Sequence, residues 1–336
     1  MANIAIVTST AFGGRNEACF QAGLTSSLGG RPQPTIHDPF QSSGNYDVTD
    51  LRALVRLAVN SIPRPDLIVA TGLEMARAAA LELQEQDDPK FIFLSGDALG
   101  EKPIALAGGV NINAPGEDDA RKSLLKERYP DVQDASMYLV VNDNSPMWRN
   151  DARNWPPDRI ARFFEAAPNP PGNTQTSDAD NHFIAEFNKV AQRTPTPTGL
   201  VIGVDPYFMY FRTAFTIALA AELPVPVCYP FQDFVDVATS NKSNSIALNK
   251  PPLNNSSDPS DQTTAYFQLG KQVGKFLAGI ADVGMVTWNG SEWCETSSQI
   301  SPPPDEASRI EIEIRVKGWV DETALQTVLA ALRGLR

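Results

Sequence analysis

Four times along the chain a short, nearly continuous apolar run stops at small or polar residues, and a helix-forming stretch follows. Ile4-Ala5-Ile6-Val7 ends in Thr8-Ser9-Thr10, and Leu67-Ile68-Val69-Ala70 ends in Thr71-Gly72. Met137-Tyr138-Leu139-Val140-Val141 ends in Asn142-Asp143-Asn144-Ser145, and Leu200-Val201-Ile202 runs through Val204 into Asp205-Pro206-Tyr207. A strand that is apolar without alternation is covered on both faces. Strands that alternate with helices at this spacing form βαβ units, so the chain is expected to build parallel, doubly wound α/β sheets. Ligands bind such sheets outside the carboxyl ends of the strands, where all four polar endings fall.

The rest of the chain fits that frame. Helices are expected over about 16–28, 51–59, 73–86, 117–128, 180–192, 210–222 and 261–280. The last of these places Tyr266, Leu269, Val273, Phe276, Leu277 and Ile280 on one face. Phe91-Ile92-Phe93-Leu94 is a further strand, ending in Ser95-Gly96-Asp97. Short strands are expected at 104–107, 110–113 and 245–248, and a helix at 158–166 inside a Pro-rich stretch. Val225, Val227 and Cys228 form a strand that ends in Tyr229-Pro230-Phe231-Gln232. Val286 to Trp293 reads as a hairpin around Asn289-Gly290 in a type I′ turn. Beyond Pro302-Pro303-Pro304, the alternation Ile310, Ile312, Ile314, Val316 marks an amphipathic strand, and Asp321 caps a last helix.

At 336 residues the chain exceeds one ordinary core and suits two lobes. These are expected over 1–98 with 231–288 and over 99–230, with 289–336 as a C-terminal extension. The net charge of −12 argues against a nucleic-acid surface, which needs clustered Lys and Arg. The three cysteines, Cys19, Cys228 and Cys294, have neither the count nor the spacing of a disulfide framework or a zinc site. No apolar run reaches membrane-spanning length. The first strand begins almost at Met1, with no basic or long apolar stretch before it. The expected location is therefore cytoplasmic if Met1 is the native start, and periplasmic if a leader has been removed.

The polar strand ends are the candidate ligand site: Thr8, Ser9, Thr10, Thr71, Gly72, Asn142, Asp143, Asp205 and Tyr207, joined by Tyr229 and Phe231. Helix N-termini favour an anionic group such as a carboxylate. The hydroxyls of Ser9 and Thr71 add hydrogen bonds, Asp143 or Asp205 can pair with an ammonium, and the aromatic rings can stack. Each residue also has a plainer reading. Ser9 and Thr71 could be N-caps, Asp205-Pro206 a turn opener, Asn142 to Ser145 a solvated turn, and Phe231 core or hinge packing. No nucleophile elbow, P-loop, dinucleotide fingerprint or metalloprotease motif is present. The two histidines, His37 and His182, have no nucleophile or second ligand at useful spacing. No catalytic residue, metal or cofactor is expected.

Gly199 to Val235 combines a strand, Asp205-Pro206-Tyr207-Phe208, Arg212, a Leu/Ala-rich helix and Pro226-Val227-Cys228-Tyr229-Pro230 leading to Phe234-Val235. This segment resembles the substrate-binding proteins of ABC transporters, of the tryptophan/tyrosine type. Pro65 to Gly72, the strand ending at Gly96-Asp97, Asn111-Ile112-Asn113 and the helix from Ala265-Tyr266 to Gly279 are similar to other segments of that family. The likeness covers about residues 3–285. Ala238 to Asn244 stands where the family has a Gly-rich, Ser-Tyr-Gly-containing segment, and 289–336 lies outside the pattern.

The resemblance implies a type I periplasmic-binding-protein fold: two α/β lobes with a hinge and a cleft that closes on ligand. It also implies non-enzymatic binding of a small organic ligand, an amino acid or another carboxylate. The partner would be an ABC permease if the protein is exported. A cytoplasmic sensor coupled to a partner through 301–336 is the alternative, and an enzyme using Asp205 and Tyr207 in the same cleft is a second.

Overall fold

The structure is a computed structural model. It describes residues 2–9, 12–42, 48–85, 87–96, 104–112, 117–142, 155–163, 185, 188–203, 225–232, 235, 244–248, 250–254 and 257–296. The chain separates into two compact units: Met1–Pro115 with Asn249–Pro302, and Gly116–Leu248 with Pro303–Arg336.

The first unit is built on an eight-stranded sheet. Its strands are β1 (Asn3–Thr8), β2 (Thr35–Ile36), β3 (Phe40–Gln41), β4 (Leu67–Thr71), β5 (Lys90–Ser95), β6 (Leu106–Asn111), β12 (Gly284–Trp288) and β13 (Trp293–Thr296). They run in the order β13-β12-β6-β5-β4-β1-β2, with β3 also pairing with β1. Every pair is parallel except β12–β13. All residues of β4 are buried, and those of β1 and β5 are buried except at their first positions, as expected for strands covered on both sides.

On one face lie α2 (Val48–Val59) and α3 (Leu73–Glu82). Their Leu51, Val55, Met75 and Ala79 share a core with Ala5, Val7, Ile68, Ala70, Phe91 and Phe93. On the other face α1 (Arg15–Ser27) packs against α5 (Ala265–Leu277). These two helices touch backbone to backbone: a Cβ on Gly23 would lie 2.0 Å from Phe267 O, and one on Gly270 would lie 2.0 Å from Phe20 O. Thr264 caps α5, its hydroxyl accepting from Phe267 N at 3.3 Å.

The second unit holds a five-stranded sheet of β7 (Met137–Asn142), β8 (Ile160–Phe163), β9 (Gly199–Ile202), β10 (Val227–Tyr229) and β11 (Ser245–Ala247). Their order is β11-β10-β9-β7-β8, all parallel. The helix α4 (Glu117–Arg128) packs Leu125 onto Leu139, Val141, Val201 and Cys228.

Four local expectations are corrected. The two short strands at 104–107 and 110–113 are one strand, β6, with a register shift opposite Phe91/Ile92 that lets Gly108 and Gly109 continue the pairing. The helix at 158–166 is a 3-10 turn, Pro157–Arg159, followed by β8, because Ile160 to Phe163 pairs with Leu139 to Asn142. The hairpin turn is not type I′, since Gly290 has φ 104 but no non-glycine residue has positive φ. Instead the Asn289 side chain accepts from Ser291 N and Glu292 N, an Asx turn. Chain changeovers also fall later than 98 and 231: β6 pairs with β5 in the first sheet, and β11 with β10 in the second. The helix expected at 210–222 lies outside the described residues.

Candidate functional site

Both sheets share one topology. With β2 and β3, which pair with successive parts of β1, counted as one strand, the strands run 2-1-3-4-5 by order within each unit: β2/β3-β1-β4-β5-β6 in the first and β8-β7-β9-β10-β11 in the second. Successive crossovers leave the first strand in opposite directions, so a crevice opens outside the carboxyl ends of β1 and β4, and another outside β7 and β9. Of the candidate residues, Thr8, Ser9, Thr71, Gly72 and Asn142 sit at these switch points.

In the first unit Thr8 and Thr71 are paired across β1 and β4, both buried. Thr71 Oγ1 donates to Thr8 Oγ1 at 2.6 Å. Ser9 N donates to Thr71 O at 3.1 Å, and Ser9 Oγ donates to the same oxygen at 3.3 Å. Gly72 N donates to Leu94 O at 3.0 Å. The structure rejects the N-cap reading of Ser9 and Thr71. Gly14 caps α1 and Gly72 caps α3, and neither helix start has a side-chain cap bond. Their first-turn N–H groups therefore face the strand-end crevice without intrahelical acceptors.

Gly72 has φ 91 and ψ 145, a region open to glycine alone. A Cβ there would stand 1.9 Å from Ser9 Oγ, so a side chain at this position would force that hydroxyl to turn away.

Several residues beside this edge escaped the sequence reading. Ser95 ends β5 and is buried, and Asn111 ends β6 opposite it. Both belong to segments quoted for the family resemblance, and strand-end position was the signal that could have found them. Glu74, 4% exposed, lies in the first turn of α3. Phe12, Phe20 and Tyr266 form an edge-to-face cluster with centroids 5.6 and 5.9 Å apart. Nothing local in the sequence brings Tyr266 to Phe12.

In the second unit Asn142 ends β7 and is buried, and Gly203 N, just past β9, donates to Val140 O at 2.8 Å. Arg121 of α4, 1% exposed, reaches the same point from below, its Nη1 donating to Ile202 O at 2.9 Å. Tyr229 ends β10 fully buried, and burial pushes its phenol well above its ordinary value, partly offset by a hydrogen bond with Ser245. Phe231 is 3% exposed. Thr10, Asp143, Asp205 and Tyr207 lie outside the described residues. His37 is half-buried, its Nδ1 bonded with Ser61 Oγ at 3.1 Å, and its backbone N–H donates to Ile4 O near the amino end of β1, away from that strand's carboxyl end. Among the described residues no cluster of His, Cys, Asp or Glu could hold a metal, and no helix is long and apolar enough to cross a membrane.

Two doubly wound α/β units, each with the 2-1-3-4-5 order, define the type I periplasmic-binding-protein fold. Solved structures of that fold are similar to this chain along most of its length. An ABC domain in complex with L-Trp from Streptococcus pneumonia is 14% identical with a TM-score of 0.56, covering 88% of this chain and 92% of its own. A conserved domain protein from Vibrio cholerae is 15% identical with a TM-score of 0.55, covering 91% and 97%. A possible leucine/isoleucine/valine-binding protein from Rhodopirellula baltica is 10% identical with a TM-score of 0.54, covering 89% and 91%. No protein-family model and no curated protein matches the sequence.

Proposed function

We propose that the protein is a non-enzymatic binder of a small organic ligand carrying a carboxylate, an amino acid in the first instance. The ligand is held at the switch-point strand ends, and the resemblance implies a two-lobed binder that closes on it. The observation that supports this most is the repeated switch-point geometry. In the first unit, two helix starts without side-chain caps stand beside the Thr8, Ser9, Thr71 and Gly72 edge, a setting that suits a carboxylate. The L-Trp carried by one protein of this fold fits the resemblance to tryptophan/tyrosine-type binding proteins. Asp143 or Asp205, both outside the described residues, would take the ammonium group, and Tyr207 would stack, as the sequence reading expects. Delivery to an ABC permease is the role this reading gives an exported form.

The test is a thermal-shift screen of the full chain against amino acids and other small carboxylates, with L-tryptophan first, followed by calorimetry. A ligand at 100 times its Kd adds about 2.7 kcal/mol of stability. Ser9→Ala and Asp205→Asn are expected to lower affinity without lowering the apo melting temperature by a comparable amount. No shift with any amino acid or carboxylate would overturn the reading.

A further inference from the structure

Among the described residues only two cations are buried, Arg121 and Lys250. Arg121 is spent on Ile202 O in the second unit. Lys250, in the first unit, is 8% exposed. Lysine is rarely buried, because its compact ammonium is strongly hydrated. A position that keeps it from water sets negative charge or carbonyl oxygen against it.

The chain around Lys250 lies on the strand-end edge of the first unit. Pro252 O accepts from Ala265 N at 2.9 Å and Leu253 O from Tyr266 N at 3.1 Å, so this segment follows the start of α5. The Tyr266 ring meets Phe12, just past the carboxyl end of β1, which puts the start of α5 at that end of the sheet. Asn254 Nδ2 donates to Asn16 Oδ1 at 2.6 Å, in the first turn of α1. Two residues of chain span at most about 7 Å, so Lys250 stands close to this pair of helix starts.

The two starts differ. That of α5 is closed: Thr264 Oγ1 accepts from Phe267 N, and Pro252 O and Leu253 O take the two N–H groups before it. That of α1 follows Gly14 and has no side-chain cap. An anionic group on this edge therefore finds open N–H groups at α1 rather than at α5. It also meets negative charge. Glu74, in the first turn of α3, is a buried carboxyl on the same edge, and Glu17 in the first turn of α1 is exposed. Asp258 and Asp261, in the connection that holds Lys250, accept from Ser260 and Thr263 in local turns. Water and salt screen the exposed acids, but not a buried one. A ligand carboxylate bound near Glu74 needs a cation on this edge, and Lys250 is the buried cation there.

We propose that the Lys250 ammonium pairs with the ligand's carboxylate at the first unit's strand ends and makes that site select acids over their neutral amides. The proposal rests on the reading of this edge as the carboxylate site. An ammonium has three donors, so a bond to the ligand leaves others for the protein.

The test uses the full chain and a panel of L-amino acids with their matching amides, L-tryptophan and L-tryptophanamide first, titrated by calorimetry. Each amide keeps the ammonium and the side chain of its acid and lacks only the negative charge. Wild-type protein is expected to prefer the acids about tenfold or more. Lys250→Met should lower acid affinity about tenfold or more and leave amide affinity within about twofold, and Lys250→Arg should keep most of the preference. Circular dichroism checks folding, and Lys250→Gln carries the same expectation if Lys250→Met does not fold. A lysine that only neutralised Glu74 would change acid and amide binding alike, and that result overturns the proposal. So does a preference that survives in Lys250→Met, or wild-type protein that binds amides as tightly as acids. Binding of no acid and no amide would overturn the reading of the site itself, and this proposal with it.

Discussion

Replacing Gly72 with alanine attacks the one point where the first unit's switch site depends on a missing side chain. Two costs add. At φ 91 and ψ 145 the backbone occupies a glycine-only region, costing an L-residue about 1–3 kcal/mol. The new Cβ would also lie 1.9 Å from Ser9 Oγ and 3.3 Å from Ser9 Cβ. The hydroxyl must turn away and give up its bond to Thr71 O, worth about 1 kcal/mol. The sum is about 2–4 kcal/mol. A chain of two units need not unfold in one step, so the readout is hydrogen exchange of the β1 and β4 amides rather than a single melting curve. Ser9 N, which donates to Thr71 O, is the natural reporter. Its exchange through unit opening is expected to speed up about 30- to 900-fold, the same free energy at 1.36 kcal/mol per factor of ten. In a Ser9→Ala background the close oxygen contact is gone but the backbone strain remains, so the cost should drop by about 1 kcal/mol. A Gly72→Ala effect below about 0.5 kcal/mol would refute the strain argument. An equal effect in both backgrounds would refute the crowding argument.

Two further outcomes follow from individual contacts. Arg121→Met removes a buried charged donor from Ile202 O and is expected to destabilise the second unit by about 1.5–3 kcal/mol, read from exchange of the Gly203 amide. Arg121→Lys should restore less than half, because an ammonium lacks the planar fork. The Glu82 carboxyl is held below its usual range chiefly by the hydrogen bond from Arg56, opposed by partial burial and assisted by Arg52. A depressed folded pKa contributes stability above the unfolded pKa and loses it as pH falls through the folded value. Glu82→Gln should therefore cost about 0.5 kcal/mol at pH 7, the size of a largely solvated network. That difference should vanish in acid, and a difference that persists below the carboxylate range would show that packing, not charge, was lost.

Much of the fold was legible because buried parallel strands announce themselves. Leu67 to Ala70 and Met137 to Val141 are apolar without alternation, and both are fully buried strands. Ile160 to Phe163 was misread as helix since its Ile-Ala-Arg-Phe carries no clear period. Only pairing with β7 makes it a strand. That Thr8, Thr71, Asn142 and Tyr229 end strands was legible, but the contacts they make there were not. A serine before a helix suggests a cap, yet Ser9 bonds across the sheet to Thr71, which is 62 residues away.

The sequence alone determined the alternation of strands and helices and which residues end the strands, because periodicity and turn chemistry are local properties of the chain. Only the tertiary structure decided what those ends meet. The Thr8–Thr71 bond, the approach of Ser9 Oγ to Gly72, and the reach of Arg121 to Ile202 each join residues distant along the chain. Such contacts depend on strand order and helix placement, which no local pattern encodes.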